Sequence, residues 1–202
     1  LHAPRQTGKT TLLLSMMETI NQQGTYACAY ANIEGAQAAR YDVERGIEAV
    51  CSAIAGRIDT FLGTDIYAWL MKEGHPIGAE DKLHQLLKHW AETSQKPTVL
   101  FLDEVDALVG DVLISLLRQL RSGYDYRSTH FPHALILCGV RDIKDYRIHT
   151  KDHQIITGGS AFNVKAESLR MGNFTYEECV ELWTQHTEET GQTFEESIFP
   201  EL

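Results

Sequence analysis

Apolar and polar residues alternate along the chain in blocks that predict strands and helices in turn. The continuous apolar run over residues 99–102 and the run ALILCGV over residues 134–140 are typical of strands buried on both faces. Residues 25–33 (TYACAYANI) predict a further strand, and the residues before the first helix read as the end of another. A last strand is expected over residues 164–170, so five strands are expected in all, with helical segments or loops between them.

Apolar residues that recur every three to four positions predict the helices between these strands. We expect helices over residues 9–20 and 81–94, one that begins near Val43, and one that Asp111 caps. The residues expected to face the core are Leu13, Met16, Met17 and Ile20, then Val43, Ile47, Val50 and Ile54, then Leu83, Leu86, Leu87 and Trp90, and finally Val112, Leu113, Leu116, Leu117 and Leu120. Strands that alternate with helices predict an α/β fold, a three-layer α/β/α sandwich around a mainly parallel sheet.

The most specific pattern lies at the start of the chain, where residues 3–10 read A-x-x-x-x-G-K-T. This is the phosphate-loop spacing, with Ala3 in the place of the usual first glycine. Backbone N–H groups of the loop should point at phosphate oxygens, helped by the positive end of the helix that starts near Gly8. We expect Lys9 to place its ammonium on the β- and γ-phosphates and Thr10 to offer a hydroxyl to Mg²⁺. The alternative is a helix N-terminus with a chance Gly-Lys-Thr.

Ala3 departs from the usual loop because a glycine there supplies a turn with relaxed backbone limits. Pro4 compensates in part, since it fixes its own φ and favours an extended backbone at Ala3, as at the end of a strand. We therefore expect the whole loop to bind a nucleotide. The residues predicted to contact it are Ala3, Pro4, Arg5, Gln6, Thr7, Gly8, Lys9, Thr10 and Thr11.

A pair of acids, Asp103 and Glu104, follows the apolar run over residues 99–102. Acids at the carboxyl end of a parallel strand face the crevice in which open α/β sheets bind their ligands. We expect Asp103 to hold Mg²⁺ through its water shell and Glu104 to polarise the water that attacks the γ-phosphate. The alternative interpretation is a solvated strand-to-helix turn in which Asp103 acts as a cap.

The composition narrows the class of protein. The chain has 202 residues, 43% of them hydrophobic and 23% charged, which indicates one principal folded domain. Its net charge of −10 does not support nucleic-acid binding by this domain, because phosphate backbones require clustered Lys and Arg. Nucleic acid stays open as a partner of any further domains.

The chain contains neither a run of ~18 apolar residues nor the layout of a signal peptide. We therefore expect a cytoplasmic protein with no membrane partner. The four cysteines are widely spaced and predict buried free thiols; they are Cys28, Cys51, Cys138 and Cys179.

Four segments together resemble AAA-type ATPases of the STAND and archaeal-ATPase kind, in the additional-strand branch of phosphate-loop NTPases. They are the loop APRQTGKTTLL, the strand LFLDEVDAL, the segment ALILCGVRDIKDYR and the stretch SAFNVKAESLRMGNFTYEE. In that branch the acid pair ends one strand and the loop follows a neighbouring strand. The resemblance covers most of the chain. It implies ATP as the nucleotide, Mg²⁺ as the metal cofactor, and Walker A and Walker B roles for the loop and the acid pair.

Arg141 follows the apolar run over residues 134–140. The resemblance implies that an arginine at this place senses the γ-phosphate. The alternative is a salt bridge with Asp142 or Asp145. Candidates for an arginine finger that acts on a neighbouring subunit, each also compatible with a solvated charge, are Arg118, Arg121 and Arg147.

The ATPase core is expected to occupy residues 1–173, and residues 174–202 to begin a helical lid or second domain. Thr175 and Glu178 have the capping-box spacing at the start of a helix that should run to about Glu189. Because the first strand starts at Leu1 and the chain stops soon after that helix, we expect a segment of a longer protein.

These patterns predict an ATP-binding and ATP-hydrolysing domain that couples nucleotide state to conformational change or to assembly. Its expected ligands are ATP and ADP, and its expected partner is another protein or a further copy of itself. The alternative is a nucleotide-gated signalling module that holds ATP with little turnover, although Glu104 favours hydrolysis. A small-molecule kinase is a weaker alternative, because no acceptor-binding lid is recognisable.

Overall fold

Three parallel strands form the central sheet, in the order β1 (Ala27–Asn32), β2 (Thr98–Asp103) and β3 (Ala134–Leu137). The computed structural model describes residues 1–127, 129–141 and 167–194, and the backbone alone of residues 148–149 and 155–156. The central strand β2 is buried along its whole length, as its apolar run requires for a strand covered on both faces. Asn32 lies opposite Asp103, so the carboxyl ends of β1 and β2 are level.

Helices cover both faces of this sheet. On one face lies α1 (Lys9–Gln23), whose Leu13 and Met17 belong to the same apolar cluster as Phe101. On the other face, a larger apolar core joins the sheet to α2 (Val43–Leu62), α3 (Ile66–Lys72), α4 (Lys82–Thr93) and α5 (Gly110–Ser122). The arrangement confirms the predicted α/β/α sandwich. The predicted stripe of α4 is buried in that core: Leu83, Leu86, Leu87 and Trp90.

The segment that leads into the loop lies beside β3 and not beside β2. His2 forms a parallel bridge with Gly139, and the Ala3 N–H donates to the Gly139 carbonyl at 3.3 Å. Strand β3 therefore separates this segment from the strand that carries the acid pair. The expectation that the loop and the acid pair follow neighbouring strands was wrong in this respect, because residue periodicity predicts strands but not their lateral order.

Three other predicted details differ in the structure. Met16 is exposed, because Leu13 and Met17 lie one turn apart on the face of α1 that contacts the sheet and Met16 lies off that face. Asp111 lies in the first turn of α5, and Val109 holds the cap position. The strand predicted over residues 134–140 ends at Leu137, beyond which Gly139 pairs with His2, and the residues of β3 are half-buried rather than buried on both faces. Of the strand predicted over residues 164–170, residues 164–166 lie outside the described part of the chain.

The chain divides into two compact units, Leu1–Leu169 and Arg170–Leu202. The second unit contains α6 (Tyr176–Thr190), whose start confirms the predicted capping box. The Thr175 hydroxyl accepts from the Glu178 N–H at 3.2 Å, and the Glu178 carboxylate accepts from the Thr175 N–H at 2.8 Å. The role of this unit as a lid, and a boundary at residue 173, stay predictions.

Two short strands, β4 (Ile148–His149) and β5 (Ile155–Ile156), pair antiparallel in the segment between β3 and α6. Asp142, Asp145 and Arg147 lie outside the described residues. Among the helices that the structure describes, none has the length and apolar character to cross a membrane. All four cysteines are free thiols; three are buried and Cys179 is half-buried.

Candidate functional site

The loop before α1 turns through two residues with left-handed backbone. Gln6 has φ 62° and Gly8, at the N-cap of α1, has φ 77°, a conformation that favours glycine. Ala3 is 1% exposed and has no positive φ, so alanine in the place of the usual glycine introduces no left-handed strain. The Thr7 hydroxyl donates to the Pro4 carbonyl at 2.9 Å and closes the turn.

Lys9, the first residue of α1, has a buried side chain that folds back into this loop. Its ammonium donates to the Ala3 carbonyl at 3.0 Å and to the Pro4 carbonyl at 2.5 Å. Both acceptors are neutral, and a phosphate oxygen would be the stronger partner because it carries charge. The ammonium therefore lies where an anion bound in the loop could replace these two carbonyls as its hydrogen-bond partner. The exposed residues around it are Pro4, Arg5, Gln6, Gly8, Thr10 and Thr11.

Asp103 ends β2 with a fully buried side chain that accepts hydrogen bonds from hydroxyl and backbone donors. The hydroxyls of Thr10 and Tyr30 donate to Oδ2, at 2.7 and 2.9 Å respectively. The backbone N–H of Glu104 donates to Oδ1 at 3.0 Å. These donors compensate for the burial of a charged group. The bond from Thr10 also brings the loop and the acid pair together, although they lie 93 residues apart in the sequence.

Glu104 follows with a left-handed backbone (φ 59°), which costs about 1–3 kcal/mol in a residue other than glycine. Burial raises the pKa of its half-buried carboxyl, and the negative charges of Asp106, Asp103 and Glu34 raise it further, while Lys9 opposes them. A carboxyl held in this way is suited to accept a proton. Strained backbone and a shifted pKa at one residue are typical of a functional site.

Tyr30 is a site residue that the sequence analysis missed. Burial raises the pKa of its hydroxyl to about 12, and the charge and hydrogen bond of Asp103 contribute, so the hydroxyl remains a donor. Cys138 is also hydrogen-bonded to this carboxylate; burial, followed by the charge and the hydrogen bond of Asp103, raises the pKa of its thiol to about 12. The available signal for Tyr30 was a hydroxyl-bearing side chain near the carboxyl end of a predicted strand.

Arg141 lies just after β3 and is exposed, on the side of the sheet where the parallel strands end. Together with Arg121 it lines a mainly apolar groove of about 430 Å³ at β3, between Met16 of α1 and Leu120 of α5. Arg118 and Arg121 lie on the exposed side of α5, as predicted. The γ-phosphate role of Arg141 and its alternative salt bridge stay predictions, and Asp142 and Asp145 lie outside the described residues.

Thr10 and Asp103 bring a hydroxyl and a carboxylate oxygen within 2.7 Å of each other. Both are hard oxygen donors of the kind that Mg²⁺ prefers, so the residues present fit that ion. Within the described part of the chain, no group of three or more His, Cys, Asp or Glu could hold a metal. A bound Mg²⁺ would therefore take its other ligands from phosphate oxygens and water, as this ion commonly does.

Comparisons with known proteins concern the family and the fold of the chain. A family model described as an AAA domain matches residues 1–146. No curated protein matches the sequence. The crystal structure of Cdc6p from Pyrobaculum aerophilum resembles the chain with a TM-score of 0.58 and 18% sequence identity, over 94% of this chain. The chain spans only 42% of that longer protein, and at this identity the likeness concerns the fold.

Proposed function

We propose that this chain, which belongs to the AAA domain family, binds ATP with Mg²⁺ between its loop and its acid pair and hydrolyses it. Membership in this family supports the interpretation of the chain as a nucleotide-binding domain of the ATPase type. The observation that carries the finer proposal is the 2.7 Å hydrogen bond from Thr10 to Asp103, which brings both motifs to one place. An isolated Gly-Lys-Thr at a helix start would have no such partner.

Each side chain has a separate part in this proposal. Lys9 leaves the carbonyls of the loop for the β- and γ-phosphates, and the loop N–H groups at the start of α1 bind the remaining oxygens. Thr10 and Asp103 hold Mg²⁺, which when bound offsets the negative charge of the phosphates. Glu104 orients the attacking water and accepts its proton.

Arg141 is proposed to distinguish ATP from ADP. It lies beyond the strand next to the acid-pair strand, on the side of the sheet that carries Asp103 and Glu104. A guanidinium that meets the γ-phosphate would move when that phosphate leaves, and this motion would couple nucleotide state to shape or to assembly with a further copy or another protein. Membership in the STAND and archaeal-ATPase kind belongs to this finer proposal.

The binding part is tested by calorimetric titration of the protein with ATP in the presence of Mg²⁺. Lys9→Ala should abolish or strongly weaken binding, because it removes a buried positive charge from the loop. The matched control is Lys72→Ala, at the exposed end of α3. Equal affinity in folded Lys9→Ala and Lys72→Ala proteins would refute the phosphate-loop assignment.

The hydrolytic part is tested with Glu104→Gln, which keeps the side-chain shape but cannot accept a proton as a carboxylate does. Binding should persist while turnover falls by about 10²–10⁴-fold, the usual contribution of a general base. Glu44→Gln, in the exposed first turn of α2, is the control. Tight binding with no turnover in the unmodified protein would favour the nucleotide-gated module instead.

A further inference from the structure

Tyr30 connects the first strand of the sheet to the acid pair on the second. Tyr30 and Asn32 lie opposite Phe101 and Asp103, so these four residues share one face of the sheet. This is the face that α1 covers, and Tyr30 packs in the same cluster as Leu13. Its hydroxyl can therefore reach Asp103 from a ring whose position is set by packing.

The oxygen that Tyr30 contacts is the one that also faces the loop. Asp103 Oδ2 accepts from Tyr30 at 2.9 Å and from Thr10 at 2.7 Å, while Oδ1 accepts from the Glu104 N–H at 3.0 Å. The backbone donor and the Tyr30 hydroxyl thus hold opposite ends of the carboxylate. The Thr10 hydroxyl is itself expected to bind the ion. The Glu104 N–H, the Tyr30 hydroxyl and the Cys138 thiol, which is also hydrogen-bonded to Asp103, orient the carboxylate towards it.

Loss of the Tyr30 hydroxyl would leave Oδ2 with one of its two hydroxyl donors. The carboxylate could then rotate about its terminal torsion, which is broad for Asp, and the Thr10 and Asp103 oxygens would no longer be held in one arrangement. Contacts from Lys9 and the loop to the phosphates do not pass through Tyr30. The contacts to Mg²⁺ and the contacts to the phosphates can therefore be tested separately by experiment.

We infer that Tyr30 is a positioning residue for the cation site: it holds Asp103 Oδ2 against Thr10 so that both oxygens are in place when Mg²⁺ binds with the nucleotide. This inference rests on the proposed function. According to this inference, Tyr30 determines how much Mg²⁺ increases the affinity for ATP, and does not affect the affinity for ATP in the absence of Mg²⁺. A hydroxyl that served only to satisfy a buried carboxylate would affect stability and leave that coupling unchanged.

The test compares ATP affinity with Mg²⁺ and with EDTA, by calorimetry, in the unmodified protein and in Tyr30→Phe. The ratio of the two affinities measures the coupling, and it should fall by about tenfold in Tyr30→Phe, as is usual when an outer partner of a metal ligand is removed. The affinity in EDTA should be unchanged. Tyr26→Phe is the matched control: Tyr26 lies just before β1, with its ring 5.6 Å from that of His133, and should keep the full ratio.

The outcomes separate the two proposals. If the unmodified protein binds no ATP, the proposed function fails and this inference fails with it. If the unmodified protein shows Mg²⁺-dependent affinity and folded Tyr30→Phe shows the same dependence, only the role of Tyr30 is overturned.

A second measurement covers the case in which Tyr30→Phe does not fold. Incorporation of 3-fluorotyrosine at position 30 keeps the ring and the hydroxyl. Its ¹⁹F resonance should shift when Mg²⁺ is added to protein saturated with ATP in EDTA, whereas the same label at position 26 should not respond. A resonance at position 30 that does not respond to Mg²⁺ would overturn the inference.

Discussion

Gly46 lies in α2 where this helix packs against α5, and the structure leaves no room there for a side chain. A Cβ at this position would lie 2.6 and 2.8 Å from the two γ-methyl carbons of Val112. Val112 is 1% exposed, and a valine in a helix has one strongly preferred rotamer, so it cannot turn away. Overpacking of this kind costs about 1–3 kcal/mol, against about 1 kcal/mol gained from the better helix propensity of alanine. Because both methyl groups are contacted, Gly46→Ala should lower the free energy of unfolding by about 1–2 kcal/mol.

Gly56 provides a control on the same helix. A Cβ there would have the Tyr67 ring at 4.0 Å as its nearest neighbour, which is ordinary contact. Gly56→Ala should therefore raise the free energy of unfolding by about 0.5–1 kcal/mol through helix propensity alone. Urea denaturation followed by circular dichroism should separate the two variants by about 2 kcal/mol.

A double mutant tests the assigned cause. Val112→Ala removes the two methyl groups, so Gly46→Ala should cost much less in its presence, with a coupling energy of about 0.5–3 kcal/mol. If Gly46→Ala proves as stable as Gly56→Ala, or if the effects of Gly46→Ala and Val112→Ala add, the close approach of α2 and α5 is not as described.

Four further outcomes are expected. Asp103→Asn should weaken Mg²⁺-dependent ATP binding by about tenfold or more in calorimetry, because a neutral amide is a poorer ligand for this ion than a carboxylate; undiminished binding would remove Asp103 from the metal site. Arg141→Ala should reduce the preference for ATP over ADP, measured by titration with both nucleotides, whereas Arg118→Ala should not; an unchanged ratio would return Arg141 to the salt-bridge interpretation. Specific ATPase activity should rise with protein concentration if a neighbouring copy supplies an arginine finger, which can contribute about 10³–10⁵ in rate; activity that is high and constant from nanomolar to micromolar protein would contradict this. A thiol reagent at pH 8 should label Cys179 in the folded protein and leave the three buried cysteines unlabelled, because burial raises the pKa of each of these thiols to about 12; labelling of all four would contradict it.

Local patterns were sufficient for much of the fold and for both motifs of the candidate site. The apolar run over residues 99–102 predicted the central buried strand, since such a run is typical of a parallel strand covered on both faces. The spacing of Leu83, Leu86, Leu87 and Trp90 predicted the buried side of α4, and the pair Thr175 and Glu178 predicted the start of α6. In each case the signal and the structure lie within a few residues of each other along the chain.

The tertiary structure alone decided which residues meet. Periodicity predicts that a strand exists but not which strand lies beside it. The structure places β3 between β2 and the segment before the loop, as the pairing of Gly139 with His2 shows. The Tyr30 hydroxyl reaches Asp103 across 73 residues of chain, a contact that depends on strand register and on the packing of α1. The backbone of Ala3, which determines whether alanine can replace glycine, likewise depends on its buried contact with Gly139. Hydrogen bonds between distant segments form only once the sheet is assembled, and for that reason the residues that orient the candidate site could not be predicted from local sequence patterns.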